Sequence, residues 1–124
     1  MAASKLSQAV FDRAAASIGQ SEPMTAEEFV YELYDSAAND LGVPNPLPPV
    51  VKAAVWWSRL KPKRVMIPSV GDVFFIGDKS GNMRCGIIGG VMLTNIICIE
   101  PSEKNKAVIT EIHCLADCKG YLRL

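Results

Sequence analysis

Apolar residues recur at helical spacing through the first half of the chain and at alternating spacing through the second, which predicts helices followed by strands. Over residues 5–18, Leu6, Val10, Phe11, Ala14 and Ile18 share one helical stripe, and Gly19 supplies a stop. Thr25 followed three residues later by Glu28 forms a capping box, and Met24 and Phe29 stand where a hydrophobic staple would. Phe29, Val30, Leu33, Tyr34, Ala37 and Leu41 then make the buried stripe of a second helix that Gly42 ends. Residues 43–49 carry four prolines and predict an extended or turning loop. Pro49 is placed to open a third helix, running to about Leu60. Its Trp56 and Trp57 lie about 100° apart on a helix, so both cannot point straight into one core. One belongs to the core, the other to a lid or an interface.

Beyond Lys61-Pro62-Lys63-Arg64 the period becomes that of strands. A turn at 68–72 leads into Val73-Phe74-Phe75-Ile76, and residues 78–82 reverse the chain into a strand from about Met83 to Leu93. Gly89-Gly90 predicts a bulge or a close backbone approach within it. Strands at 96–99, 107–112 and 120–124 follow, separated by turns at 94–95 and 102–106. The predicted fold class is α+β in one domain spanning 1–124. Three N-terminal helices (about 5–60) pack on a C-terminal antiparallel sheet of about five strands (about 70–124).

Composition narrows the function classes. The chain has 124 residues, 49% hydrophobic and 21% charged, with 13 Lys plus Arg against 13 Asp plus Glu. Zero net charge argues against a dedicated nucleic-acid binder. The basic run Arg59, Lys61, Lys63, Arg64 suits the acidic side of the second helix, or a partner, better than phosphates. No apolar run reaches the ~18–20 residues of a membrane span. The N-terminus lacks the apolar block of a secretion signal, so synthesis in the cytosol without a leader is expected.

Four cysteines do not make a disulfide scaffold here, and Cys85 and Cys98 sit inside apolar runs as small hydrophobes. The one histidine, His113, adjoins Cys114, with Cys118 four residues on. A dyad of His113 with Cys85 or Cys114 is conceivable. However, neighbouring strand residues point to opposite faces, and neither thiol starts a helix. Zinc held by His113, Cys114, Cys118 and a fourth thiol would lack paired Cys-x-x-Cys knuckles. An ordinary strand-to-loop histidine is the expectation, with no metal and no cofactor.

The order of motifs resembles the papain-like cell-wall hydrolases of the NlpC and CHAP families. There a helix begins Asp-Cys-Ser-Gly-hydrophobic-Val, and a Gly-Asp-hydrophobic-aromatic-aromatic strand, a His-Val-Gly-Ile strand and a third polar residue follow. Here the helix start reads Thr25-Ala26-Glu27-Glu28-Phe29-Val30, and the strands read Gly71-Asp72-Val73-Phe74-Phe75 and Arg84-Cys85-Gly86-Ile87-Ile88. Gly42-Val43-Pro44 and Gly120-Tyr121-Leu122-Arg123 fit the family's turn and closing strand. The resemblance implies a thiol in the first turn of a helix, where dipole and free amides favour thiolate, facing a strand imidazole. This chain has Ala26 and Arg84 at those positions, and Ser102 is the best match for the third.

A methyl group cannot attack a carbonyl, and a guanidinium is no general base. The resemblance therefore implies a catalytically inactive domain. An ion pair of Arg84 with Glu27 or Glu28 would stand in for the catalytic pair. Binding residues are then Glu27, Glu28, Arg84 and an exposed tryptophan of Trp56–Trp57, with the proline-rich loop as a docking surface. The partner is a protein in a larger assembly, such as a phage tail or contractile injection machine, or peptidoglycan. Two alternatives remain: a peptidoglycan amidase or endopeptidase seen as a cysteine-to-alanine variant, and a small-ligand module using the vacated cleft.

Overall fold

The computed structural model describes residues 4–21, 24–77 and 82–124. Helix α1 spans Lys5–Ser17, with the Ser4 hydroxyl accepting from the Ser7 amide at its start. Helix α2 spans Ala26–Leu41 and carries the complete capping box. The Thr25 hydroxyl accepts from the Glu28 amide, and the Glu28 carboxylate accepts from the Thr25 amide. Gly42 closes α2 in the left-handed region at φ 68°, a geometry that costs a side-chain-bearing residue ~1–2 kcal/mol.

Helix α3 is shorter than the prolines suggest, Ala53–Arg59 instead of 49–60. Lys52 offers its start no side-chain cap, and the Glu27 carboxylate of α2 accepts from the Ala53 amide at 3.0 Å instead. The Pro49 carbonyl accepts from the Trp56 indole at 3.4 Å, which leaves Pro49 outside the helix.

Six strands form one antiparallel sheet ordered β1-β6-β2-β3-β4-β5. They are β1 (Arg64–Val65), β2 (Val73–Gly77), β3 (Met83–Val91), β4 (Asn95–Ser102), β5 (Ala107–Cys114) and β6 (Gly120–Leu122). The expected count of about five misses β1. Two residues beside a basic, proline-containing run carry no alternation to read, and Arg64–Val65 is a strand only because it pairs with Leu122 and Tyr121. The bulge expected at Gly89-Gly90 is present as a register shift between Ile88 and Gly90 against β4. The turn expected at 78–82 lies, apart from Asn82, outside the described residues.

Strand alternation divides the sheet into two faces. Val73, Phe75, Cys85, Ile87, Ile99, Val108 and Leu122 point to the helices and join Val10, Phe29, Val30, Tyr34 and Trp56 in the main core. Phe74, Ile88, Ile96, Cys98 and Tyr121 point the other way and form a smaller cluster under Leu115 and Cys118. Among the described residues no helix is long and apolar enough to cross a membrane.

The turn before β2 ties these parts together. Gly71 (φ 90°) presses against Ser7 of α1, donates its amide to the Ile88 carbonyl, and accepts the buried Tyr34 hydroxyl at 2.8 Å. Asp72, 1% exposed, accepts a two-pronged hydrogen bond from Arg123 and another from the Ser69 amide. That partner raises the Arg123 pKa, and it satisfies a carboxylate that could not otherwise stay buried.

Two tests follow from this corner. Gly42→Ala meets open space and should cost about 1 kcal/mol of backbone strain, whereas a methyl at Gly71 collides with the Ser7 carbonyl. Gly71→Ala should therefore cost at least about 3 kcal/mol, read as a shift in urea midpoint. Burial, reinforced by Asp72, raises the Tyr34 pKa, and burial, then Cys118, raises Tyr121 to about 12. A raised folded-state pKa means that the folded form holds protons which the unfolded chain releases. Stability is therefore full below the ordinary phenol value near ~10 and falls as pH climbs through it. Tyrosinate absorbance and loss of ellipticity should rise together in alkali.

Candidate functional site

Two places on the molecule gather polar side chains. The first is a cleft of about 700 Å³ between the start of α2 and the β4–β5 hairpin. Thr25, Ala26, Glu27 and Glu28 form one wall, and Pro101, Ser102, Glu103 and Lys106 the other. The structure thus brings together Ala26 and Ser102, two of the three positions singled out from sequence. Several polar groups in the walls already have a structural task. Glu28 closes the capping box, Glu27 caps α3, and the Ser102 hydroxyl accepts from the Asn105 amide and side chain at 3.2 and 3.1 Å. Lys106 sits at φ 52°, in the left-handed region, at the hairpin tip. Among the described residues, the lining contains no thiol and no imidazole.

Arg84 is not in this cleft, and the expected ion pair with Glu27 or Glu28 is corrected here. Cys85 and Ile87 face the helices, so the pleat turns Arg84 to the opposite face of the sheet. There its guanidinium meets Glu100 at 3.4 Å and His113 at 3.2 Å.

The tryptophans divide as core and lid, which corrects the binding role expected of Trp56. Trp56 is fully buried and leaves no surface for a partner. Trp57 is a lid: it packs on Phe75 with ring centroids 5.2 Å apart, lies over Gly120, and carries the Arg64 guanidinium 3.8 Å above its ring. Arg64 also donates to the Trp57 carbonyl at 2.6 Å, so this member of the basic run is spent within the fold.

The second gathering, on the outer face, was not foreseen from the sequence. Cys98 and Glu100 of β4 share a face with Glu111 and His113 of β5, because each pair is two residues apart on adjacent strands. His113 Nε2 lies 3.0 Å from Glu100 Oε2 and 3.9 Å from Glu111 Oε2, and Phe74 stacks beside the imidazole at 5.9 Å. Glu100 is 4% exposed and Cys98 wholly buried. The repeated acid-x-His and Cys-x-acid spacing on neighbouring strands is the signal that could have revealed the cluster.

The dyads weighed from sequence do not form. Cys85 faces the helices, away from His113, and Cys114 alternates to the face opposite His113 at the end of β5. Cys118 instead donates its thiol to the Cys114 carbonyl at 3.6 Å. Burial, with Glu27 and Glu100 adding, pushes the Cys85 thiol well up. Burial and Glu100 do the same to Cys98, and burial raises Cys118. None of these three thiols is held as a thiolate nucleophile.

Compared with known proteins, the chain matches no protein-family model and no curated protein. The thiol environments predict an order of reactivity. With iodoacetamide at mildly alkaline pH, peptide mass spectrometry should show exposed Cys114 modified first and Cys118 more slowly. Cys85 and Cys98 should react only after unfolding; native-state labelling of either at the rate of Cys114 would contradict the burial described.

Proposed function

We propose that this chain is a catalytically inactive papain-like domain of NlpC or CHAP type that works as a binding and assembly module. The observation that carries the reading is the cleft itself: it opens at a capped helix start, as a cysteine hydrolase site would, but presents the Ala26 methyl and contains no thiol and no imidazole among its described residues. The motif order and the α+β arrangement of helices on an antiparallel sheet support the kinship.

The placement of Arg84 departs from the family pattern, in which the residue at that position faces the helix start across the cleft, and it counts against the motif match there. Restoring a thiol at Ala26 would leave it without an imidazole, since Arg84 and His113 both project from the other side of the sheet. The alternative of an amidase inactivated by a single cysteine-to-alanine change is correspondingly weaker. By analogy with the resembling domains, the partner is a protein of a larger wall-penetrating assembly, a phage tail or injection machine. The cleft, with Glu27, Glu28 and Glu103 against Lys106, favours a polar, net basic segment of that partner.

Purified sacculi test the catalytic half of the proposal. The natural chain, Ala26→Cys and Ala26→Cys combined with Arg84→His should all leave them intact in a turbidity assay. Clearing by Ala26→Cys alone would show a complete hydrolase site and defeat the reading. Co-sedimentation with sacculi that Ser102→Arg abolishes would assign the cleft to glycan or stem peptide in place of a protein.

A further inference from the structure

We propose that Cys98, Glu100 and His113 form a site for a soft divalent cation, zinc above all, and that Arg84 occupies its mouth as a stand-in positive charge. The sulfur, one carboxylate oxygen and one ring nitrogen all lie within 4.8 Å of one another. A tetrahedral zinc site with ordinary bond lengths sets its ligand atoms about 3.4–3.6 Å apart. Small side-chain rotations on a fixed pair of strands therefore suffice. The mixed sulfur, nitrogen and oxygen set suits zinc or cobalt better than magnesium or calcium, which prefer all-oxygen shells.

A second observation is the crowding at His113 Nε2, where a carboxylate oxygen and a guanidinium nitrogen converge on one ring atom. That one atom lies 3.0 Å from Glu100 Oε2 and 3.2 Å from an Arg84 guanidinium nitrogen. A protonated Nε2 can serve the ionised carboxylate but then faces the guanidinium with a hydrogen. An unprotonated one can accept from Arg84 but then presents its lone pair to the carboxylate. No state of the ring serves both contacts. A cation between Nε2 and Oε2 takes the ring lone pair and the carboxylate charge together and releases Arg84 from the ring.

Arg84 is half-exposed and can swing out, which provides the path of entry. As the ion binds, the Cys98 S–H bond breaks, its proton passes to solvent and the sulfur bonds to the metal as thiolate. Two anionic ligands then balance the dication. Arg84 turns outward and leaves Glu100 to the ion, and a water takes the fourth position. Phe74 packs beside the imidazole on the same face of the sheet.

Chelator-treated protein titrated with Zn²⁺ against a chromogenic competitor, and with Co²⁺ by absorbance, tests the site. One zinc per chain is expected, together with a thiolate-to-cobalt charge-transfer band and tetrahedral visible bands. His113→Gln and Cys98→Ala should each weaken zinc at least about 10-fold, and Cys98→Ala should abolish the charge-transfer band. Arg84→Gln should tighten zinc several-fold; weaker binding would overturn the stand-in role. Should Cys98→Ala not fold, the double variant Cys114→Ser/Cys118→Ser decides, because it must keep the band. Absence of stoichiometric binding, or loss of the band in that double variant, overturns the site and leaves an ion-paired network of Arg84, Glu100 and His113.

Discussion

The hydrogen bond from the Tyr34 hydroxyl to the Gly71 carbonyl sits where both layers of the molecule meet. Tyr34 belongs to α2 and Gly71 to the turn before β2, and the same turn carries the amide that pairs with Ile88 and the carboxylate that grips Arg123 beyond β6. Ser7 of α1 closes on the glycine from the helical side. One four-residue corner thereby fixes two helices and three strands relative to one another. It does so with buried polar groups that are tolerable only because each is paired. The position of the α2 start beside the β4–β5 hairpin, and hence the cleft, is inherited from that corner.

The two faces of the sheet carry different chemistry. The helix-facing side is apolar across β2, β3, β4 and β6, so the cleft can form only at its rim, where α2 begins and the hairpin overhangs. Among the described residues the outer side is covered only by the short turn at Leu115–Asp117, and its apolar patch of Phe74, Ile88, Ile96, Cys98 and Tyr121 is completed by an acid, a base and a guanidinium from three adjacent strands. The Ala26 cleft and the His113 cluster are therefore separated by the thickness of the sheet. A single active centre using both would need the chain to pass a side chain through the hydrogen-bonded ladder.

Much of this was legible in the sequence, for local reasons. Helix α2 follows from its cap, staple and stripe, and Gly89-Gly90 announces a bulge because two glycines weaken a ladder. Cleft membership of Ala26 and Ser102 was accessible through motif order. What the sequence could not give was the sense of the pleat at Arg84. One residue of register exchanges Arg84 for Cys85 on the helix-facing side, and motif matching alone does not fix that choice. Glu100 was equally opaque, because its burial depends on β5 lying beside it and not on its neighbours in the chain. The spacing of the adjacent tryptophans divides them between core and rim, but that Trp57 is a lid follows only from Arg64 above its ring and Gly120 beneath it.

Strand β6 is slotted between β1 and β2, with Tyr121 paired to both Val65 and Phe74. During translation the ribosome delivers β1 and β2 more than forty residues before this wedge, since Val65 and Phe74 precede Tyr121 by 56 and 47 positions. Until β6 pairs, Phe74 and the neighbouring edge of β2 lack their companion strand. Closure of this edge is consequently a long-range event, and its loop-closure entropy is met only when the end of the chain finds the gap between β1 and β2.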